Sequence, residues 1–226
     1  LLPHFVSFAI GALLGAAFLA LLPHAITSNP YVDVHNIGLT VLVGILSFFI
    51  LEKMVLWRHC HSHDCEAHTQ HGHHHDHHGM SSTMMILIGD GLHNFIGGLA
   101  IAGTFLIDIR LGIMAWLAAA AHEIPQELGD FGVLIHGGWE KGKALLFNVL
   151  SALTFLLGGL VTYGLSFNYD ISFLIPFAAG NFLYIGATDL VPEVNKHGDI
   201  KVNLINFASF IVGILLMLLI KILLAL

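Results

Sequence analysis

The chain has 226 residues, 56% of them hydrophobic and only 10% charged, with a formal net charge of −7 and a mean hydropathy of +0.83. That balance excludes an ordinary water-soluble domain, because apolar segments long enough to cross a bilayer take up most of the length. The acidic excess does not point to nucleic acid or other acidic partners, since most of the acids sit in or beside those segments.

A hydrocarbon core about 30 Å thick needs roughly 20 helical residues. Seven segments meet that length, at about 3–26, 37–57, 83–107, 111–136, 143–166, 171–191 and 203–225. The fold class expected is all-α, a polytopic membrane helix bundle with seven spans forming one domain over 1–226. Leu1 is not a methionine and the spans are odd in number, which together predict a further apolar helix before it. Numbered one to seven, alternate crossings put Lys53, Arg58, Lys141, Lys143, Lys196 and Lys201 at one face, against Arg110 and Lys221 at the other. The basic face is cytoplasmic by the positive-inside rule.

The first segment carries Gly11, Ala12, Gly15, Ala16 and Ala20, small residues that let another helix approach closely, and it should be central. Between the second and third lies the only low-complexity stretch, a loop at 58–79. It holds His59, His61, His63, His68, His71, His73, His74, His75, His77 and His78, with Cys60 and Cys65. Neutral imidazoles and thiols bind zinc and its neighbours, and reducing conditions inside a cell disfavour a disulfide, so metal capture is the expectation for this loop. Irregular spacing predicts interchangeable ligand sets rather than one rigid site.

The third and fourth segments each contain a polar cluster at membrane depth. The third has Asp90, His93 and Asn94 between Gly-Asp-Gly (89–91) and Gly97-Gly98; the fourth has His122, Glu123, Gln126, Glu127 and Asp130 around Pro125. Each carboxylate opposes insertion by about 2.5–3.5 kcal/mol, so Asp90, Glu123, Glu127 and Asp130 together cost on the order of 10 kcal/mol without compensation by water, protons or cations. Residues three or four apart share a helix face, aligning Asp90 with His93 and Asn94, His122 with Gln126, Glu123 with Glu127, and Glu127 with Asp130. Imidazole, carboxylate and amide oxygen suit a divalent cation of borderline softness. Pro125 removes the bond to the Ala121 carbonyl and predicts a kink and a functional break beside His122. The last segment, rich in leucine, should face lipid on most sides.

Gly-Asp-Gly-Leu-His93-Asn94-Phe resembles the fourth-helix pattern H-N-x-x-D/E-G of the ZIP divalent-metal transporters. His122-Glu123-Ile-Pro125-Gln126-Glu127-Leu-Gly129-Asp130 resembles H-E-x-P-H-E-x-G-D, the fifth-helix signature of the histidine-loop-rich subfamily. Leu22-Pro23-His24-Ala25 and Asp189-Leu-Val-Pro192-Glu193 are similar to its second and seventh helices more loosely. The resemblance implies an eight-helix fold of which the seven spans are helices two to eight, with the histidine loop inside the cell. It implies His93, Asn94, His122 and Glu123 as ligands, with Glu127 and Asp130 as neighbouring or exit-path groups. Where the family has an acid this chain has Gly97; where the subfamily has its second fifth-helix histidine it has Gln126; and the run Ser151–Phe155 lacks the sixth-helix acid of other branches. A single-ion or weakened site is the inheritance those departures imply.

The function expected is transport of divalent metal, zinc first and Fe2+, Mn2+ or Cd2+ as alternatives, into the cytoplasm, weakening as pH falls through about 6.5 because imidazole binds metal when neutral. A homodimer in the lipid bilayer is a further expectation. The alternatives are a membrane metal sensor that does not transport, and a metalloprotease, since His122-Glu-Ile-Pro-Gln126 is one residue from H-E-x-x-H. No P-loop is present for ATP coupling.

Overall fold

The computed structural model describes residues 2–28, 33–59, 79–196 and 200–226, with helix the only regular structure among them. The helices are α1 (Leu2–Ala16), α2 (Leu22–Thr27), α3 (Val34–His59), α4 (Gly79–Ile107), α5 (Ile109–His136), α6 (Lys141–Ala152), α7 (Thr154–Ser166), α8 (Leu174–Lys196) and α9 (Ile200–Leu224). They make seven rods, one for each expected span. Five rods are long and apolar enough to cross a membrane by themselves: Pro3–Thr27, Val34–Met54, Thr83–Ile107, Lys141–Ser166 and Ile200–Leu224. The remaining two are α5, which is 28 residues long and carries the acidic cluster, and α8, whose apolar part is Leu174–Thr188.

Three local features correct the sequence reading. Helix α5 runs unbroken through Pro125, so the expected break is absent; losing one backbone bond does not stop a helix whose flanking turns are held by packing. The irregular backbone lies instead in the first rod, where Ala17–Leu21 forms a π-helical turn between α1 and α2 and the Leu22 N–H reaches the Ala17 carbonyl. Pro23 follows directly and has no N–H for the preceding turn, a circumstance that a widened turn accommodates. The fifth span, expected as one helix, is two that meet at Leu153. There Thr154 Oγ1 donates to the Gly91 carbonyl of α4 at 2.6 Å and Ser151 Oγ to the Leu87 carbonyl at 3.0 Å.

The first rod is central, with 61% of its apolar window buried against 11% for α9. Its glycine face is taken by α9, the helix expected to look mainly at lipid. A Cβ at Gly11 would strike the Phe210 carbonyl oxygen, and one at Gly213 the Phe8 carbonyl oxygen. The rest of α9 is indeed mostly exposed. Backbone touches backbone in the same way where Gly44 of α3 meets Phe177 and Gly180 of α8 meets Val41, and where Gly98 of α4 meets Phe155 and Gly158 of α7 meets Phe95. The core shared by α1, α4, α5 and α8 is built from Leu13, Leu21, Ile101, Met114, Ile175 and Phe182 with many alanines. It lies against the polar clusters of α4 and α5.

Candidate metal centre

Helices α4 and α5 are joined at Asp108, which caps α5 by accepting from the Arg110 and Leu111 N–H groups at 2.8 and 3.4 Å. The Arg110 guanidinium beside it holds the Asp108 carboxyl below the usual carboxylate range. With so short a joint the two helices fold back on one another, and the apolar turns around it set the depth at which their polar faces meet.

At that depth His93 and His122 face each other, ring centroids 5.6 Å apart and planes inclined at 38°. His93 Nε2 lies 3.3 Å from Glu123 Oε1. The ring of Phe48, from α3, stands edge-on to His93 at 4.9 Å, a contact that limits the histidine's swing. A second layer lies one turn along. Asn94 Nδ2 donates to Asp90 Oδ1 at 3.1 Å and to Glu127 Oε1 at 3.4 Å, and Gln126 Nε2 donates to the same Asp90 oxygen at 3.0 Å. Asp90, Asn94 and His122 are buried. Asp90 Oδ2 and Glu123 Oε2 are buried carboxylate oxygens without a hydrogen-bond partner among the described residues; such oxygens call for water or a cation.

A cavity of about 320 Å³ opens from this centre toward the C-terminal ends of α3 and α5, with Glu52, Asp90, Asp130 and Thr188 among its lining. A second cavity of about 20 Å³ lies on the opposite side, bounded by His93, His122, Glu123 and Asn181 together with apolar groups. A third, of about 160 Å³, is found at the far end of the bundle, where Ser28, Asn36, Thr40 and Ser172 contribute polar groups.

Of the eight residues expected at the centre, seven meet there: Asp90, His93, Asn94, His122, Glu123, Gln126 and Glu127. Asp130, which makes no hydrogen bond to them among the described residues, shares the wall of the large cavity with Asp90, His93, His122 and Gln126. Among the described residues no three His, Cys, Asp or Glu side chains are gathered in a way that would hold an ion as they stand; amides and ion pairing take up part of the donor set. His59 closes α3, and Cys60, His61, His63, Cys65, His68, His71, His73, His74, His75, His77 and His78 lie outside the described residues. Residues not singled out from the sequence also line these cavities, among them Phe48, Glu52 and Asn181. Glu52 accepts from the Tyr184 hydroxyl at 2.6 Å. Glu52, a carboxylate near the end of an apolar span, and Asn181, an amide within an apolar run, carried a signal in the sequence, and a lone asparagine is a weak one.

The family model described as ZIP Zinc transporter matches residues 57–221. The zinc transporter ZIP13 of Pongo abelii is 30% identical over 96% of this chain and 66% of its own length. The zinc transporter zipt-7.1 of Caenorhabditis briggsae is 28% identical over 86% of this chain and 62% of its own. The zinc transporter ZIP13 homolog of Drosophila melanogaster is 31% identical over 96% of this chain and 76% of its own. The chain thus spans about two thirds of the length of the relatives it matches.

Proposed function

The chain belongs to the ZIP zinc transporter family and is a multi-pass integral membrane protein, and from that premise we propose that it carries divalent metal, zinc first, through the α4–α5 centre. The observation that carries the reading is the pairing of His93 with Glu123 opposite His122, inside a membrane bundle and at the head of an open, acid-lined cavity. Imidazole nitrogen and carboxylate oxygen are zinc's usual donors in proteins. A charged group buried at this depth without such a role would be a net cost to insertion.

In this reading His93, His122 and Glu123 bind the ion, exchanging its water for fixed donors. Asn94 and Gln126 hold Asp90 and Glu127 in place beside it, and Asp130 and Glu52 offer oxygens along the way to the loop. The mouth of the large cavity and the histidine loop face the cytoplasm, as the basic residues suggest, so flux runs inward. Domain limits of 1–226, a homodimeric assembly in lipid, and Fe2+, Mn2+ or Cd2+ as competing cargo belong to the same proposal.

The relatives are named as transporters, and the hydrogen bond from Gln126 to Asp90 supports reading this chain as one rather than as a peptidase. An amide committed to a carboxylate does not replace the second imidazole of H-E-x-x-H. The test is zinc flux into proteoliposomes containing the purified chain, with iron, manganese and cadmium as competitors. Saturable zinc uptake is expected, and binding without flux would overturn the proposal in favour of a sensor.

A further inference from the structure

On the far side of the two histidines from the open cavity, the structure holds a polar group that the centre as described does not use. Asn181 of α8 is 2% exposed, and neither its Oδ1 nor its Nδ2 has a hydrogen-bond partner among the described residues. A buried amide left unpaired carries a desolvation penalty that most asparagines avoid. It borders the cavity of about 20 Å³ together with His93, His122 and Glu123, and Glu123 Oε2 is the other unpartnered oxygen there. That volume takes one guest of about the size of a water molecule. The remaining walls, including Leu13, Ile101 and Phe182, offer no donor or acceptor side chain.

The amide is held at this position by the backbone. Gly180 packs against Val41, which seats α8 on α3, and the facing Gly44 has no side chain; a Cβ there would come within 3.2 Å of Asn181 Oδ1. The amide thus stands between that glycine and the small cavity it borders. We propose that Asn181 supplies a further oxygen ligand to the metal ion bound by His93, His122 and Glu123, closing the coordination shell on the side away from the open cavity. This assignment rests on the transport reading above. An amide oxygen from a third helix adds a neutral donor to a nitrogen and carboxylate set. It suits divalent ions of borderline softness without adding charge that would slow release.

The full chain in detergent, titrated with zinc chloride by calorimetry, tests the assignment directly; zinc flux in proteoliposomes is measured alongside. Asn181→Leu keeps the volume and removes the oxygen, and it is expected to raise both Kd and KM about tenfold, the scale on which a supporting donor acts. Asn181→Asp keeps the shape and adds charge, and it is expected to bind zinc more tightly than the wild type. A purely structural amide would shift the melting temperature and leave Kd alone, so a folded Leu variant with wild-type Kd and KM overturns the proposal. If the Leu variant does not fold, an Asp variant with unchanged Kd overturns it instead. Wild-type protein that binds zinc without flux sinks the transport reading, while the Kd comparison still decides Asn181; wild-type protein that binds no zinc sinks both.

Discussion

Gln126 Nε2 donates to Asp90 Oδ1 across the seam between α5 and α4, at 3.0 Å. Asn94 donates to the same oxygen from within α4 at 3.1 Å, so one carboxylate oxygen gathers two amides and stands one turn from the histidine pair. The amide at 126 is thus a structural tie as well as a departure from the resembling motif. Gly97, the other departure, lies beside the small cavity, and a Cβ there would meet only the Phe155 ring, at 3.7 Å. Gly97→Asp with Gln126→His should therefore fit and bring a carboxylate and an imidazole to the centre. We expect tighter zinc binding or a second equivalent by calorimetry, without a proportional rise in maximal flux, because an ion held more strongly leaves more slowly.

Glu123→Gln removes the anion that faces His93 at 3.3 Å. The variant should insert and fold, since a buried carboxylate is replaced by an amide of the same shape. Zinc flux should fall by at least tenfold, measured against surface expression, while His136→Ala, placed at the end of α5, should transport normally.

Gly98→Val places side-chain carbon against the Phe155 carbonyl, where α4 and α7 have no space. A loss of about 1–3 kcal/mol is expected from overpacking of this kind, read as a lower melting temperature by size-exclusion after heating. Gly132→Ala is the control: nothing stands within 4 Å of a Cβ there, and the helix should gain up to about 1 kcal/mol.

Asp108→Ala removes the cap of α5 and the partner of Arg110, whose guanidinium also reaches the Ala225 carbonyl at 3.2 Å. The loss should be about 1 kcal/mol at neutral pH. The folded-state carboxyl lies below its ordinary range, chiefly through the Arg110 side chain. Its contribution is therefore complete above the ordinary carboxylate pKa and disappears as pH falls through the lowered value. Melting curves of wild type and Asp108→Ala should converge in that acidic window and separate above it.

Deletion of residues 59–78 should leave zinc uptake measurable, because the paired histidines of α4 and α5 lie within the bundle. A changed apparent affinity is the expected effect; abolished flux at normal expression would show that the loop belongs to the crossing path.

Hydropathy was sufficient to locate all seven rods because crossing a bilayer demands length and apolarity from each one. The centre was legible for a related reason: Asp90, His122 and Glu123 are too costly at that depth to be incidental. Asn181 was not, since one amide in a helix is cheap enough to serve packing alone. Phe48 was hidden for the opposite reason, an aromatic among many in an apolar helix. Pro125 does not interrupt α5 because its effect on backbone depends on the turns around it, and the residue that borders an irregular turn is Pro23. Which helix would meet the Gly11 face was also unreadable, since α9 offers the single glycine at 213 within a run of large apolar residues.

The three glycine crossings have a mechanical corollary. Where carbonyl oxygen rests on α-carbon, as between Gly11 and Phe210, Gly44 and Phe177, or Gly98 and Phe155, no side chain remains to bend or change rotamer and take up slack. Each pair, α1 with α9, α3 with α8 and α4 with α7, therefore behaves as a double-barrelled strut with stiff cross-bracing. Displacement within the bundle concentrates in the seams that keep flexible side chains between the helices. The seam between α4 and α5 is one of these, so the compliant joint and the polar centre coincide.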